Sequence, residues 1–311
     1  PKSPSGVSLK KSTSDPTRSL EATWTNPSEN DKNVKYKVRL DKVTSQTNKG
    51  SDKEATNSKN SYTFDMLTPG GGYKVYVWAV AGDSAATPSE ESDKKSNTSP
   101  VYTVPKSPSG VSLKKSTSDP TRSLEATWTN PSENDKNVKY KVRLDKVTSQ
   151  TNKGSDKEAT NSKNSYTFDM LTPGGGYKVY VWAVAGDSAA TPSEESDKKS
   201  NTSPVYTVPK SPSGVSLNKS TSDPTRSLEA AWTNPSENDK NVKYKVRLDK
   251  VTSQTNKGSD KEATNSKNSY TFDMLTPGGG YKVYVWAVAG DSAATPSEES
   301  DKKSNTSPVY T

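Results

Sequence analysis

Along several short stretches of this chain, apolar and polar residues alternate with a period of two. In VSLKK, residues 7–11, Val7 and Leu9 share a face, and in SLEATWT, residues 19–25, Leu20, Ala22 and Trp24 do. In KYKVRLD, residues 35–41, Tyr36, Val38 and Leu40 lie opposite Lys37, Arg39 and Asp41. Such alternation predicts half-buried antiparallel strands. SYTFDML adds Tyr62 and Phe64 with Leu67 closing the run, YKVYVWAV places Tyr73, Val75, Val77 and Ala79 on one face, and SPVYTV reads as a short last strand. Turn formers separate these runs: SDPT, TNPSEND, TNKGSDK, TPGGG and the long AGDSAATPSEESDKKSN. No segment carries a helical period. Six or seven short strands in about 100 residues predict an all-β fold, a β-sandwich.

The whole pattern then recurs. Residues 1–104 return unchanged as 105–208, and the third copy, 209–311, differs only at Asn218, where the others have Lys10 and Lys114, and at Ala231, where they have Thr23 and Thr127; it is also one residue shorter. A period of 104 residues is longer than the roughly 20–50 of a solenoid repeat and close to one independent domain. The expected domains are therefore 1–104, 105–208 and 209–311. Both variable positions fall on outward faces. Identical neighbours are prone to misassemble during folding, so their retention points to a unit whose number matters, as in a spacer or a multivalent array. The chain starts on Pro1 and its third copy stops early, which reads as a segment of a longer array. At the junctions, SPVYTVPKSPSGV holds Pro100, Pro105 and Pro108, favouring a stiff, extended connection. With strands of around ten residues at about 3.3 Å each, one unit spans about 35–40 Å and three span about 100–120 Å.

Composition narrows the functions available. The chain has no Cys and no His, which removes disulfide frameworks, Cys/His zinc sites, Cys nucleophiles and imidazole-dependent triads. Paired carboxylates could still hydrolyse a glycoside, but a 104-residue unit offers little room for the pocket they need. The expectation is a chain that is not an enzyme, with no cofactor and no metal; acidic Asp-x-Asp-x-Asp-Gly calcium loops are absent. No apolar run approaches the roughly 18 residues needed to span a bilayer, so no membrane insertion is expected within this segment. The net charge of +8 comes from 15, 15 and 14 Lys plus Arg against 12 Asp plus Glu in each copy, interleaved as in SENDKNVKYK. Nucleic-acid binders cluster their cations on one face, and no nucleic-acid partner is expected. Each full copy has only four Leu, nine Val, one Phe and no Ile, but two Trp and five Tyr supply a core, each aromatic burying roughly 150–250 Å².

Four features together carry a resemblance: the Pro-rich start PKSPSGV, Trp24 on the second strand, Tyr36 twelve residues on, and LTPGGGYKVYVWA. Over its whole length each copy resembles the fibronectin type III domain, whose pattern runs Leu-x-Pro-Gly-x-x-Tyr-x-Val-x-Val. The resemblance implies an immunoglobulin-like sandwich with an A-B-E sheet packed on a C′-C-F-G sheet, three of them forming an extended rod. It implies a tyrosine corner at Tyr73, Tyr177 and Tyr281, the phenol hydroxyl reaching back to the backbone just upstream, with Trp24, Trp128 and Trp232 as core anchors.

If Tyr73, Val75 and Val77 point inward, then Lys74, Tyr76, Trp78 and Val80 point outward, beside Lys37 and Arg39. Two readings of that face stand. In one it is a surface ladder, with Arg39 over Trp78 and Lys37 near Tyr76, each cation–π contact worth roughly 0.5–1 kcal/mol. In the other, Tyr76, Trp78 and Arg39, with Tyr180, Trp182 and Arg143 and with Tyr284, Trp286 and Arg247, form three exposed patches that stack on a sugar or a partner protein. Gly82-Asp83-Ser84 opens the loop where some family members display Arg-Gly-Asp, but Ala81 stands where the Arg would be, and turn chemistry accounts for the sequence. Asn97, Asn201, Asn305 and Asn218 fit the N-glycosylation acceptor pattern. The function expected is a structural stalk of a cell-surface or secreted protein, a bacterial adhesin, acting as a monomeric rod whose partners are other domains of the same parent protein. A multivalent module binding a host protein or glycan through the Tyr76/Trp78 face, and an ancillary array of a secreted carbohydrate-active enzyme, are the alternatives.

Overall fold

The computed structural model describes residues 1–55, 60–82, 89–159, 163–186, 193–263, 268–290 and 297–311. Each repeat forms the same nine strands, and the described residues include no helix. In the first repeat these are β1 (Ser5–Lys11), β2 (Leu20–Thr25), β3 (Lys35–Lys42), β4 (Lys53–Ala55), β5 (Ser61–Phe64), β6 (Gly72–Ala81), β7 (Glu90–Glu91), β8 (Lys95–Ser96) and β9 (Val101–Tyr102). One antiparallel sheet runs β1-β2-β5 and the other β4-β3-β6, with β7, β8 and β9 pairing in turn along the far edge of β6. This is the three-strand sheet on four-strand sheet arrangement implied above, with the fourth strand in pieces. The long pairing of β3 with β6, from Lys35 opposite Val80 to Lys42 opposite Tyr73, sets the register of the second sheet.

The inward residues are those the alternation selects. Leu20, Ala22 and Trp24 of one sheet meet Val38, Val75 and Val77 of the other, all fully or almost fully buried. Each repeat closes a core of its own from the same positions. Trp24 Nε1 donates to Asn26 Oδ1 at 2.7 Å, so the buried indole keeps a partner for its one polar atom.

The stretch AGDSAATPSEESDKKSN, expected as one long turn, contains β7 and β8. Between these short pieces β6 still presents N–H groups that burial forbids leaving unpaired. Two side chains fill the breaks: Ala79 N–H donates to Ser92 Oγ at 2.9 Å, and Val75 N–H donates to Asn97 Oδ1 at 2.8 Å. Asn97 Nδ2 in turn donates to the Ser99 carbonyl at 2.6 Å. Asn97, Asn201 and Asn305 are all buried with both ends of the amide in use. A glycan on Nδ2 is incompatible with that geometry, which corrects the acceptor reading at these three positions; Asn218 is exposed. Asp83 and Ser84 lie outside the described residues.

Candidate functional site

The outward face of β6 is covered, not open. Arg39 lies opposite Tyr76 and Lys37 opposite Trp78, two residues out from the expected arrangement. Trp78, Trp182 and Trp286 have 0%, 1% and 1% of their surface exposed. Lys94 Nζ sits 4.3 Å from the Trp78 ring centre, with Lys198 over Trp182 and Lys302 over Trp286 in the same way. Arg39 lies 5.0 Å from the Tyr76 ring centre, as Arg143 does over Tyr180, and Arg247 is 5.1 Å from Tyr284. The guanidinium is itself held by Asp41, Nε to Oδ1 at 2.8 Å and Nη2 to Oδ2 at 3.0 Å. It is the charged head of each cation that lies over the ring, and Arg39, Arg143 and Arg247 are themselves buried. Of the two readings of this face, the exposed patch fails at Trp78, Trp182 and Trp286, which are buried, while Tyr76, Tyr180 and Tyr284 are half-buried, because outward on a strand is not the same as accessible.

The turn before β6 is pinned from within. Thr68 N–H donates to Tyr73 Oη at 2.9 Å, Thr172 to Tyr177 at 2.9 Å and Thr276 to Tyr281 at 3.0 Å. This fixes Thr68-Pro69-Gly70-Gly71 as a rigid ledge, with Gly70 at φ +70°. The connecting segment runs over that ledge: Thr103 N–H donates to the Gly71 carbonyl at 3.0 Å, Thr103 Oγ1 to the Thr68 carbonyl at 2.7 Å, and Val104 N–H to the Pro16 carbonyl at 2.9 Å. Thr103, Pro105 and Pro108 are buried.

The next repeat seats on the same ledge. Asp135 N–H donates to the Pro69 carbonyl at 2.9 Å, and its carboxylate receives Lys42 Nζ at 2.7 Å and the hydroxyl of Ser45. Lys11 pairs with Glu194 across the same joint, and Lys106 N–H donates to Asn134 Oδ1 at 2.8 Å to hold the connecting segment. A Cβ at Gly70 would lie 2.3 Å from Val138 Cγ2, so only glycine allows this approach. The second joint repeats the first: Asp239 N–H donates to the Pro173 carbonyl at 2.8 Å, Lys146 Nζ meets Asp239 Oδ2 at 2.8 Å, Ser149 donates to its other oxygen, and Lys115 pairs with Glu298. What this arrangement does chemically is fix two neighbouring sandwiches in one orientation.

The family described as Fibronectin type III domain matches residues 2–95, 106–199 and 210–303. The chain belongs to the fibronectin type III family. Mouse Tenascin-N is 28% identical over 239 residues, which is 77% of this chain and 13% of the length of that relative. Among solved structures, a two fibronectin type III domain segment of chicken tenascin shares 20% identity at a TM-score of 0.43, covering 66% of this chain and 99% of its own. The chicken CNTN1 FN1-FN3 domains share 16% identity at a TM-score of 0.29, covering 100% of this chain and 99% of theirs. The matches leave the connecting segments 96–105 and 200–209 between them, whereas the residues that bond across the joints, such as Lys42, Gly70 and Asp135, lie inside the matched stretches.

In these fibronectin type III repeats the joint residues are the ones that sequence reading passed over. Asp31, Asp135 and Asp239 sit in the polar run SENDKN, which reads as a solvated surface. The sequence holds no separate signal for them, because Gly70, which meets Val138 of the next repeat, is the glycine the family pattern already requires, and Gly71 and Gly72 face residues of their own repeat. Burial alone would raise the Asp135 carboxyl, but the Lys42 ammonium, the Ser45 hydroxyl and the Asn137 N–H outweigh it and hold the group below its ordinary value. Asp239 is lowered in the same way. A carboxyl whose value is lowered by docking favours the docked joint fully above its undocked value of about 3.9, and that contribution is lost as pH falls through the lowered value. Distances between spin labels on neighbouring repeats are therefore expected to stay constant from neutral pH down to about 4 and to broaden below it. Broadening near pH 6 would contradict this assignment.

Proposed function

We propose that this chain is a non-catalytic spacer array of a cell-surface or secreted protein, serving as a stalk, such as that of a bacterial adhesin, that holds a functional head away from its anchor. The observation that carries the reading is the joint: the same carboxylate, lysine, serine and glycine ledge fix the first repeat to the second and the second to the third. Relative motion of domains is the ordinary expectation for a small interface, and a joint that buries a hydrogen-bonded ion pair works against it. Long side chains cover the aromatic face, so the buried chemistry of each repeat goes into its core and its joints. Reach is then set by the number of repeats.

Small-angle scattering on the 311-residue chain tests this. The maximum dimension is expected near about 100–120 Å, and Asp135→Ala with Asp239→Ala should broaden the distance distribution without unfolding the repeats. A compact or broadly distributed parent chain, or a double variant indistinguishable from it, would remove the spacer reading.

A further inference from the structure

Along one side of each repeat the three-strand sheet ends on β5 and the other sheet ends on β4. Among the described residues neither strand pairs with anything beyond its one neighbour. The Trp24 N–H donates to the Asn60 carbonyl at 3.0 Å, so these two residues form a hydrogen-bonded pair at the end of the β2–β5 ladder. Bonded and non-bonded pairs alternate along an antiparallel ladder, which makes Ala22–Tyr62 and Leu20–Phe64 bonded pairs and turns the N–H and C=O of Ser61 and Thr63 away from β2. The same bond and register recur in the other two repeats, at Ser165 and Thr167 and at Ser269 and Thr271. An edge strand without a charge, Ser61-Tyr62-Thr63-Phe64, presents these groups with none of the usual protection against a further strand. In the immunoglobulin constant-type sandwich the sheet continues past this strand, in the order A-B-E-D. The position beyond β5 therefore suits a fourth strand.

Beside this edge, in the third repeat, lies a cavity of about 520 Å³, within the size range of ligand sites. It reaches Leu248 of the core, is walled by Tyr270 and Phe272 with ring centres 4.7 Å apart, and is bordered by the exposed Lys257 and Lys261. Its lining holds three lysines and one carboxylate, and that carboxylate, Asp273, accepts Ser227 Oγ at 2.6 Å. The surroundings are the same in every repeat. Tyr62–Phe64 and Tyr166–Phe168 both have ring centres 4.8 Å apart, and Lys49, Lys53, Lys153 and Lys157 are exposed as Lys257 and Lys261 are. Met274, also in the lining, is 89% exposed at φ +55°, and Met66 and Met170 stand in the same way, leaving an adaptable apolar side chain in solvent beside the site.

We infer that β5 of each repeat accepts an extended acidic peptide of a partner protein as a fourth strand. Its main chain bonds at Ser61 and Thr63, and its alternate side chains enter the cavity. There the Tyr62–Phe64 pair takes an apolar side chain and Lys49 and Lys53 take a carboxylate, as the excess of lysine in the lining requires. The sites recur along one chain, so a partner with several such segments binds with avidity. This inference goes beyond the spacer reading and does not rest on it.

Amide hydrogen exchange followed by NMR on the 311-residue chain tests this with the capped peptide Thr-Glu-Thr-Val-Thr-Glu-Thr-Val. Half-saturation is expected near about 0.1 mM, so at about 1 mM peptide the Ser61 and Thr63 amides, with their equivalents, should exchange about tenfold more slowly. The same peptide with Lys in place of Glu should bind at least tenfold more weakly, and the difference should shrink in high salt. Thr63→Pro, Thr167→Pro and Thr271→Pro together remove outward N–H groups that the β2–β5 ladder does not use, and should abolish binding. Should that variant not fold, Lys→Glu at the exposed Lys49, Lys53, Lys153, Lys157, Lys257 and Lys261 carries the test: it should weaken the acidic peptide at least tenfold and favour the basic one. Unchanged exchange at the edge amides, equal binding of the two peptides, or lysine variants that bind like the parent would each overturn the inference. Glucuronic acid shifting the Tyr62 and Phe64 signals while the peptide leaves the edge amides unprotected would overturn it in favour of a sugar site. A chain that takes up no peptide but scatters as a stiff rod would overturn it while leaving the spacer reading standing.

Discussion

Gly174→Ala will loosen the joint between the second and third repeats, whereas Gly278→Ala, the same change at the same place in the fold, will leave every joint intact. Both glycines have φ +72°, so an alanine at either costs about 1–2 kcal/mol in backbone strain. Only at Gly174 does the new methyl have a neighbour to strike: Val242 Cγ2 at 2.3 Å, with Pro209 Cβ at 3.3 Å and Ala289 Cβ at 3.5 Å. Val242 is a branched side chain held in the core of the third repeat and cannot swing aside. The third repeat must therefore move off the ledge, adding an overpacking cost of roughly 1–3 kcal/mol to the docked state. Thermal melts of the two variants should shift alike, and spin-label distances across the second joint should broaden only in Gly174→Ala. Equal distance distributions would mean that the ledge does not set the orientation.

Trp78→Ala should cost the first repeat about 3–5 kcal/mol, the range for truncating a large buried aromatic. An exposed stacking platform predicts a change within about 0.5 kcal/mol, so the two readings of this face differ by several kcal/mol. The loss comes from the packing of an indole with no exposed surface under Lys94 and beside Lys37. Trp78 Nε1 has no hydrogen-bond partner among the described residues, so part of the loss is offset when that group is removed. Because each repeat has its own core, urea unfolding of the 311-residue variant should show an early step of roughly one third of the total amplitude, followed by the two unchanged repeats. A single step at the parent midpoint would restore the exposed platform.

The strands with clear alternation were legible because the pleat imposes it: β2, β3 and β6 place Leu20, Trp24, Val38, Val75 and Val77 inward as their period requires. The pieces of the last strand were not, since Glu90-Glu91 and Lys95-Ser96 have no apolar side chain to alternate and are held by backbone pairing and by Ser92 and Asn97. Trp78 was misread for a different reason. Periodicity reports which side of a strand a residue occupies, and what roofs that side depends on Lys94, which is sixteen residues away in sequence. The joint was hidden most deeply. Asp31 and Asp135 have the same sequence around them, and one is exposed while the other is buried, so the difference lies in what docks there and not in the local pattern.

Tension along the array would not load all parts of a repeat equally. Pull enters through β1 and leaves through β9, and β9 is held to β6 at only two positions, Gly72 opposite Tyr102 and Tyr73 opposite Val101, whereas β3 and β6 are paired at eight. Under tension the few bonds of β9, Thr103 and Val104 are expected to part before the eight-pair β3–β6 ladder, lengthening the chain by a few residues at about 3.3–3.6 Å each. The β3–β6 pairing and the core around Val75 and Val77 remain closed meanwhile, and relaxation returns the peeled segment to a ledge that has kept its shape.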